Sequence, residues 1–127
     1  MSKKSASLLL VEPSAQMRAL LAGRLRRAGH EVVEAAGAED ALTWLGAGGR
    51  PDVVIADVGP LGEYELLRWI RARAPAIAVV LTVGLGDRLA LEHAHALGAA
   101  AVVSKPFDID ELLRLVRELC SAESLVA

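Results

Sequence analysis

The sequence predicts an α/β protein in which five parallel strands alternate with five helices. Three mainly apolar runs indicate this class, at residues 53–56, 78–81 and 101–104. Continuous runs of Val, Ile, Leu and Ala are typical of parallel strands that are buried on both faces. Segments with helical spacing lie between the runs and end at glycine or proline. This alternation predicts a three-layer sandwich with right-handed crossovers.

Each predicted strand is a short apolar or alternating segment that is bounded by polar, Gly or Pro residues. The predicted strands are Ser7–Val11, Glu31–Ala35, Asp52–Asp57, Ile77–Thr82 and Ala100–Ser104. The second strand alternates apolar and polar residues, which indicates a position near an edge of the sheet.

The predicted helices have apolar residues at intervals of three and four. Ser14 caps the first helix and Gly29 ends it. Its apolar positions are Met17, Leu20, Leu21 and Leu25. The next three helices are Ala38–Leu45, Glu63–Ala74 and Asp87–Leu97. Asp108 caps the last helix, and Ser121–Ala127 is predicted to be a short tail.

Length and composition exclude several classes of protein. The 127 residues are 54% hydrophobic and 24% charged, with a net charge of −2, which argues against disorder and against a nucleic-acid-binding module. The apolar runs are too short to span a bilayer, and the N-terminus lacks a signal-peptide pattern. The single Cys120 excludes an internal disulfide. We expect a cytoplasmic protein with one domain at residues 5–120 and no output domain.

A different polar residue ends each of the three apolar runs. These residues are Asp57, Thr82 and Lys105. Ligands of open α/β sheets bind outside the carboxyl ends of the strands, so a carboxylate, a hydroxyl and an ammonium are expected at one edge. This combination suits a phosphoryl group on an aspartate. Considered alone, an aspartate at the end of a buried strand is more often a helix cap.

In their order and spacing, these segments resemble the receiver domain of two-component response regulators over nearly the whole chain. The resemblance is carried by residues 8–12, 51–58, 79–82 and 98–107. It implies a flavodoxin-like fold with strand order 2-1-3-4-5. It also implies a phosphorelay in which a histidine kinase or a phosphotransfer protein donates the phosphoryl group, with Mg²⁺ as the cofactor.

The resemblance implies a role for each residue of the site. Asp57 would be the phosphoacceptor, Thr82 would hydrogen-bond a phosphoryl oxygen, and Lys105 would pair with the phosphoryl group. The Lys105–Pro106 bond is expected to be cis. The Mg²⁺ ligands would be Glu12, Asp57 and the backbone carbonyl of Gly59. Glu12 is equally a candidate partner for Lys105. The domain would catalyse Mg²⁺-dependent self-phosphorylation and autodephosphorylation at Asp57.

Three features depart from the family pattern. Pro13 stands where the family has a second acid, which weakens the metal site. The loop after Asp57 is shorter than usual, and Glu63 is a candidate to replace the missing acid. Val102 replaces an aromatic residue that swings inward on activation in the family. These departures favour the alternative function, a pseudo-receiver that works as a protein-interaction module without phosphorylation.

The expected downstream surface is the face formed by Asp87–Cys120, in a monomer or a weak homodimer. We expect no contact with nucleic acid or membrane. Four arginines in or beside the first helix are expected to be solvated, with docking of an acidic partner as the alternative; they are Arg18, Arg24, Arg26 and Arg27. His93 and His95 lie two residues apart and do not share a helix face, which argues against a metal site. A flavin carrier is the third class considered, and the chain lacks the aromatic residues that usually flank a flavin.

Overall fold

The computed structural model describes residues 5–59, 64–84, 86 and 88–126, which contain one five-stranded parallel sheet. The strands are β1 (Ser7–Val11), β2 (Glu31–Ala35), β3 (Val53–Asp57), β4 (Ala78–Val83) and β5 (Ala101–Ser104). The helices are α1 (Ala15–Arg27), α2 (Ala38–Gly46), α3 (Glu65–Arg73), α4 (Arg88–Ala96) and α5 (Ile109–Val126). The sheet order is β2-β1-β3-β4-β5, so the predicted fold class, strand order and edge position of β2 are confirmed.

The helix boundaries differ from the predictions mainly at α5. This helix continues to Val126, through most of the segment that was expected as a tail. Residues 121–126 contain neither glycine nor proline, so nothing in the local sequence ends the helix. Glu63 and Asp87, the predicted first residues of the third and fourth helices, lie outside the described residues. Within the described part of the chain, no helix is long and apolar enough to cross a bilayer.

Both faces of the sheet are covered, which explains why the central strands have continuous apolar sequences. On one face, Leu9 and Val54 pack with residues of α2, α3 and α4. On the other face, Leu8 and Leu10 pack with residues of α1 and α5. Successive strand residues therefore alternate between two hydrophobic clusters.

The buried stripe of α1 is narrower than the sequence predicted. Leu21, Ala22 and Leu25 are buried, whereas Met17 is 36% exposed and Leu20 is 50% exposed. The two exposed side chains line an apolar groove of about 420 Å³, whose other residues are Lys105, Pro106, Phe107 and Ile109. Helical spacing identified residues that can share a face, but α5 and the sheet cover only part of that face.

Three of the four arginines expected at a solvated surface form ion pairs. An Arg24 nitrogen lies 2.6 Å from Asp110 Oδ1. Arg26 and Arg18 approach the two carboxylate oxygens of Glu34 at 3.1 and 3.6 Å. Exposed pairs contribute little to stability. They do reduce the positive charge of this surface, which weakens the case for docking of an acidic partner.

His30 is a buried polar residue on the α1–α5 side of the sheet. The residue is 6% exposed, and its Nδ1 accepts a hydrogen bond of 2.9 Å from the backbone N–H of Ala6. Burial lowers the pKa of His30, and the positive charge of Arg117 lowers it further. The folded protein therefore favours the neutral imidazole with its proton on Nε2, since Nδ1 is the acceptor.

We expect the free energy of unfolding to fall as the pH decreases below 6.5, the ordinary pKa of histidine. The reason is that the unfolded chain binds a proton at residue 30 more readily than the folded protein. The contribution is fully present above this pH and is lost as the pH approaches the lowered pKa of the folded state. Urea unfolding between about pH 8 and pH 5 measures the effect. His30→Gln should reduce the slope, while His95→Gln, at an exposed position of α4, should not. Equal slopes in the parent and His30→Gln would contradict the prediction.

Candidate functional site

The carboxyl ends of β3, β4 and β5 bring the three predicted polar residues together. Asp57 and Thr82 are register partners, and Lys105 directly follows β5. The Thr82 hydroxyl donates a hydrogen bond of 2.9 Å to Asp57 Oδ1. Lys105 Nζ lies 2.7 Å from the same oxygen. One carboxylate oxygen thus receives both a neutral donor and a cation.

Backbone hydrogen bonds extend the sheet past the strand ends and hold these residues in place. The N–H of Val58, directly after β3, donates to the carbonyl of Thr82 at 2.8 Å. The N–H of Lys105 donates to the carbonyl of Val83 at 2.8 Å. The Lys105–Pro106 peptide is cis, as expected from the resemblance. The side chains therefore meet on a backbone that is already paired on both sides of β4.

Glu12 joins this cluster from the end of β1. Its side chain is buried, and its Oε1 lies 3.2 Å from Lys105 Nζ. Its Oε2 accepts a hydrogen bond of 2.9 Å from the N–H of Ser14. Of the two roles that the sequence left open for Glu12, the structure shows the ion pair with Lys105. The ammonium therefore bridges Glu12 and Asp57.

The two carboxylates hold Lys105 in its charged form. Burial of the ammonium lowers the pKa of Lys105, but hydrogen bonds to Asp57 and Glu12, together with their negative charges, outweigh that effect and raise the pKa. The site thus has one cation between two carboxylates and a net negative charge. A phosphoryl group that enters it would compete with Glu12 for the same ammonium.

A pocket of about 200 Å³ opens beside Asp57. Asp57 and Gly59 line it on the side of β3, and Pro13 lines it on the side of β1. The remaining lining residues are small or apolar; they are Val11, Gly37, Ala38, Ala56, Leu66, Leu67 and Leu81. The space next to the Asp57 carboxylate is therefore open, and Pro13 stands at the position where the family has its second acid.

A model of the response regulator receiver domain family matches residues 8–117. The chain belongs to this family. Receiver domains are the phosphoacceptors of two-component signalling, and they interact with histidine kinases or phosphotransfer proteins.

Relatives of this receiver domain include both long regulators and a small phosphotransfer protein. FleR of Pseudomonas aeruginosa, a response regulator protein, is 38% identical over 88% of this chain and 24% of its own length. Sporulation initiation phosphotransferase F of Bacillus subtilis is 27% identical over 92% of this chain and 95% of its own length. NtrX of Brucella abortus, solved with ADP, superposes with a TM-score of 0.85 at 30% identity, over 95% of this chain and 27% of its own. The chain spans about a quarter of the length of each of the first curated relatives.

The donor set of the receiver domain fits a weakly held Mg²⁺. Mg²⁺ prefers oxygen ligands and usually retains several waters beside one or two carboxylates. Asp57 and Gly59 both line the pocket and supply a carboxylate and a backbone carbonyl. Glu12 is near, but Ser14 and Lys105 already contact its two oxygens. Among the described residues, no cluster of three or more His, Cys, Asp or Glu side chains could hold a metal ion.

Two of the three departures from the family pattern lie within the described residues. Pro13 borders the pocket, as expected of the missing acid position. Val102 is partly buried and packs against the cluster on the α2–α4 face. Glu63, the candidate replacement acid, lies outside the described residues.

The sequence did not reveal how Tyr64 contacts α4. Its side chain is buried directly before α3, and its hydroxyl donates to the carbonyl of Ala90 at 3.3 Å. Its ring meets that of His93 edge to face, with 4.7 Å between the centroids. His93 is exposed, as expected, but it is also part of this contact. Tyr64 precedes α3, whereas Ala90 and His93 belong to α4, so no sequence spacing relates them.

Proposed function

We propose that Asp57 accepts a phosphoryl group from a histidine kinase or a phosphotransfer protein, and that the domain signals by protein contact. The observation that carries this proposal is the convergence of Thr82 and Lys105 on Asp57 Oδ1. Phosphoryl transfer depends mainly on positioning and charge neutralisation, which a fixed hydroxyl and an ammonium provide. A pseudo-receiver would not need both groups at one oxygen, so the arrangement favours the phosphoacceptor.

The proposed reaction forms one bond and breaks one bond. Because Thr82 and Lys105 both contact Oδ1, we assign the attack on phosphorus to Oδ2 of Asp57. With a phosphohistidine donor, the new O–P bond replaces the P–N bond. The electron pair of the broken bond stays on the imidazole nitrogen, which then takes up a proton. Thr82 and Lys105 remain beside the acceptor to hold phosphoryl oxygens.

Mg²⁺ is part of this proposal, with Asp57, the carbonyl of Gly59 and Glu12 as the residues that would hold it. When bound, it would neutralise phosphoryl charge and bring an anionic donor to an anionic acceptor. Lys105 already supplies one positive charge at the site. Because Pro13 replaces the second acid of the family's metal site, we expect Lys105 to carry more of the charge neutralisation than it would if that acid were present. The same residues would support slow autodephosphorylation of Asp57.

The downstream partner is proposed to bind the Asp87–Cys120 face, of which residues 88–120 are described. β5 lies at the edge of the sheet between α4 and α5 in the chain, and its valines are only partly buried. Such an edge offers both backbone and side-chain contacts to another protein. We place the domain in the cytoplasm as a monomer or weak homodimer.

The direct test is the intact mass after incubation with Mg²⁺ and acetyl phosphate. We expect a gain of one phosphoryl group in the parent and none in Asp57→Asn, which keeps the size of the side chain but lacks the carboxylate. Asp52→Asn is the matched control, because Asp52 lies at the opposite end of β3 and accepts a hydrogen bond from the N–H of Ser7. That variant should still gain the phosphoryl group.

A parent protein that gains no mass from acetyl phosphate or from a phosphorylated histidine-phosphotransfer domain would contradict the proposal. A gain that persists in Asp57→Asn would place the acceptor elsewhere.

A further inference from the structure

Tyr64 connects the segment that follows the acceptor aspartate to a different helix. It comes seven residues after Asp57 and directly before α3. Its hydroxyl bonds the carbonyl of Ala90, in the first turn of α4, and its ring meets His93 one turn later. Ala90 and His93 are three residues apart and share one face of the helix, so Tyr64 contacts a single face of α4.

A second route leads from the acceptor to the same helix. Thr82, which donates to Asp57, is followed by Val83 at the end of β4, and the chain then continues to α4. The backbone of Thr82 also accepts the N–H of Val58, the residue after Asp57. The ends of β3 and β4 are thus joined at the site, and both strands are followed by segments that contact or form α4.

We propose that Tyr64 couples the state of the Asp57 carboxylate to the packing of α4. This inference rests on the proposed function, in which Asp57 changes its charge and its size. Val102 on β5 offers no aromatic side chain that could transmit the change. Tyr64 provides a buried aromatic side chain from the α3 side, in contact with two consecutive turns of α4.

The contact between Tyr64 and α4 can rearrange with only a small change in free energy. The hydroxyl–carbonyl distance of 3.3 Å exceeds the usual range of about 2.5–3.0 Å for a hydrogen bond between two oxygens, so this hydrogen bond is weak. The carbonyl of Ala90 belongs to a helix, so small shifts of α4 change this hydrogen bond without breaking the backbone pattern. The edge-to-face ring contact has a preferred but broad geometry. A displacement at Asp57 can therefore alter the contacts of Tyr64 with α4 while α3 and α4 stay folded.

Hydrogen exchange of the α4 peptide, residues 88–96, tests the coupling. We expect phosphorylation, verified by intact mass, to change exchange in this peptide of the parent protein. In Tyr64→Phe, which keeps the ring but loses the hydroxyl, basal exchange should rise by about two- to tenfold, and the response to phosphorylation should fall to less than about half. Trp69→Phe is the matched control, since it trims an aromatic side chain of α3 that lies beneath Arg73. It should leave the response unchanged.

A second arm does not require phosphorylation. Asp57→Asn removes the acceptor charge, and we expect it to alter α4 exchange in the Tyr64 background and much less in the Tyr64→Phe background. If acetyl phosphate adds no mass, the proposed function fails while this arm still decides the coupling. The coupling is overturned if neither change at Asp57 affects α4, or if Tyr64→Phe responds as strongly as the parent.

Discussion

Replacement of Lys105 by Met is expected to slow phosphorylation of Asp57 by about 100- to 1000-fold, the usual cost of losing one donor that stabilises developing charge. Lys105 lies 2.7 Å from Asp57 and 3.2 Å from Glu12, so the variant leaves these two carboxylates facing the incoming phosphoryl group without the ammonium between them. The time course of the phosphoryl mass gain from acetyl phosphate measures the rate.

The matched control for this prediction is Arg114→Met, which removes an exposed cation of α5 far from Asp57 in the sequence. It should react at the parent rate. Lys105→Arg keeps the charge but replaces a compact ammonium by a planar fork, so we expect an intermediate rate. Circular dichroism and urea unfolding verify that each variant is folded. A folded Lys105→Met protein that reacts as fast as the parent would refute the role of Lys105.

Replacement of Pro13 by Asp is expected to raise the Mg²⁺ affinity roughly tenfold to a few hundredfold. Pro13 lines the same pocket as Asp57 and Gly59, so a carboxylate there would face the proposed ligands. Two unit charges at about 4 Å interact by about 4 kcal/mol at an effective dielectric of 20, and replacement of water reduces the net gain to about 1–3 kcal/mol. Calorimetric titration with MgCl₂ measures the affinity.

Pro13→Asn separates the effect of charge from the effect of losing the proline ring. It has nearly the shape of the aspartate and restores the same backbone N–H, but it adds no charge. We expect little gain in Mg²⁺ affinity from this variant. Equal affinities in the two variants would show that the proline ring, rather than the missing carboxylate, limits metal binding.

The sequence correctly predicted that Asp57, Thr82 and Lys105 lie together, because the ends of parallel strands follow simple rules. The apolar runs that lead to Asp57, Thr82 and Lys105 form β3, β4 and β5; the first two are internal strands and β5 is at the edge of the sheet. Parallel pairing places the carboxyl ends of all three strands together. The register was set by the hydrophobic pattern, so the convergence of the three side chains followed without knowledge of the helices.

Contacts between helices and loops were not predictable in the same way. Met17 and Leu20 have the spacing of core residues, but whether a helix face is covered depends on its neighbours. The sequence left two partners open for Glu12, Lys105 and Mg²⁺. Its contacts with Lys105 and with the N–H of Ser14 depend on the three-dimensional path of the chain. The contact of Tyr64 with Ala90 joins residues 26 apart, which no periodicity connects.

The paired backbone at the ends of β3, β4 and β5 has a consequence for how the domain meets its donors. Main-chain hydrogen bonds join Val58 to Thr82 and Lys105 to Val83, and they form when the domain folds. The hydroxyl of Thr82 and the ammonium of Lys105 therefore lose orientational entropy when the domain folds, and not when a phosphoryl donor binds. A small acyl phosphate and a large protein donor would meet the same ready-made acceptor. Their rates would then differ chiefly through how often, and how long, each of them holds its phosphorus beside Asp57.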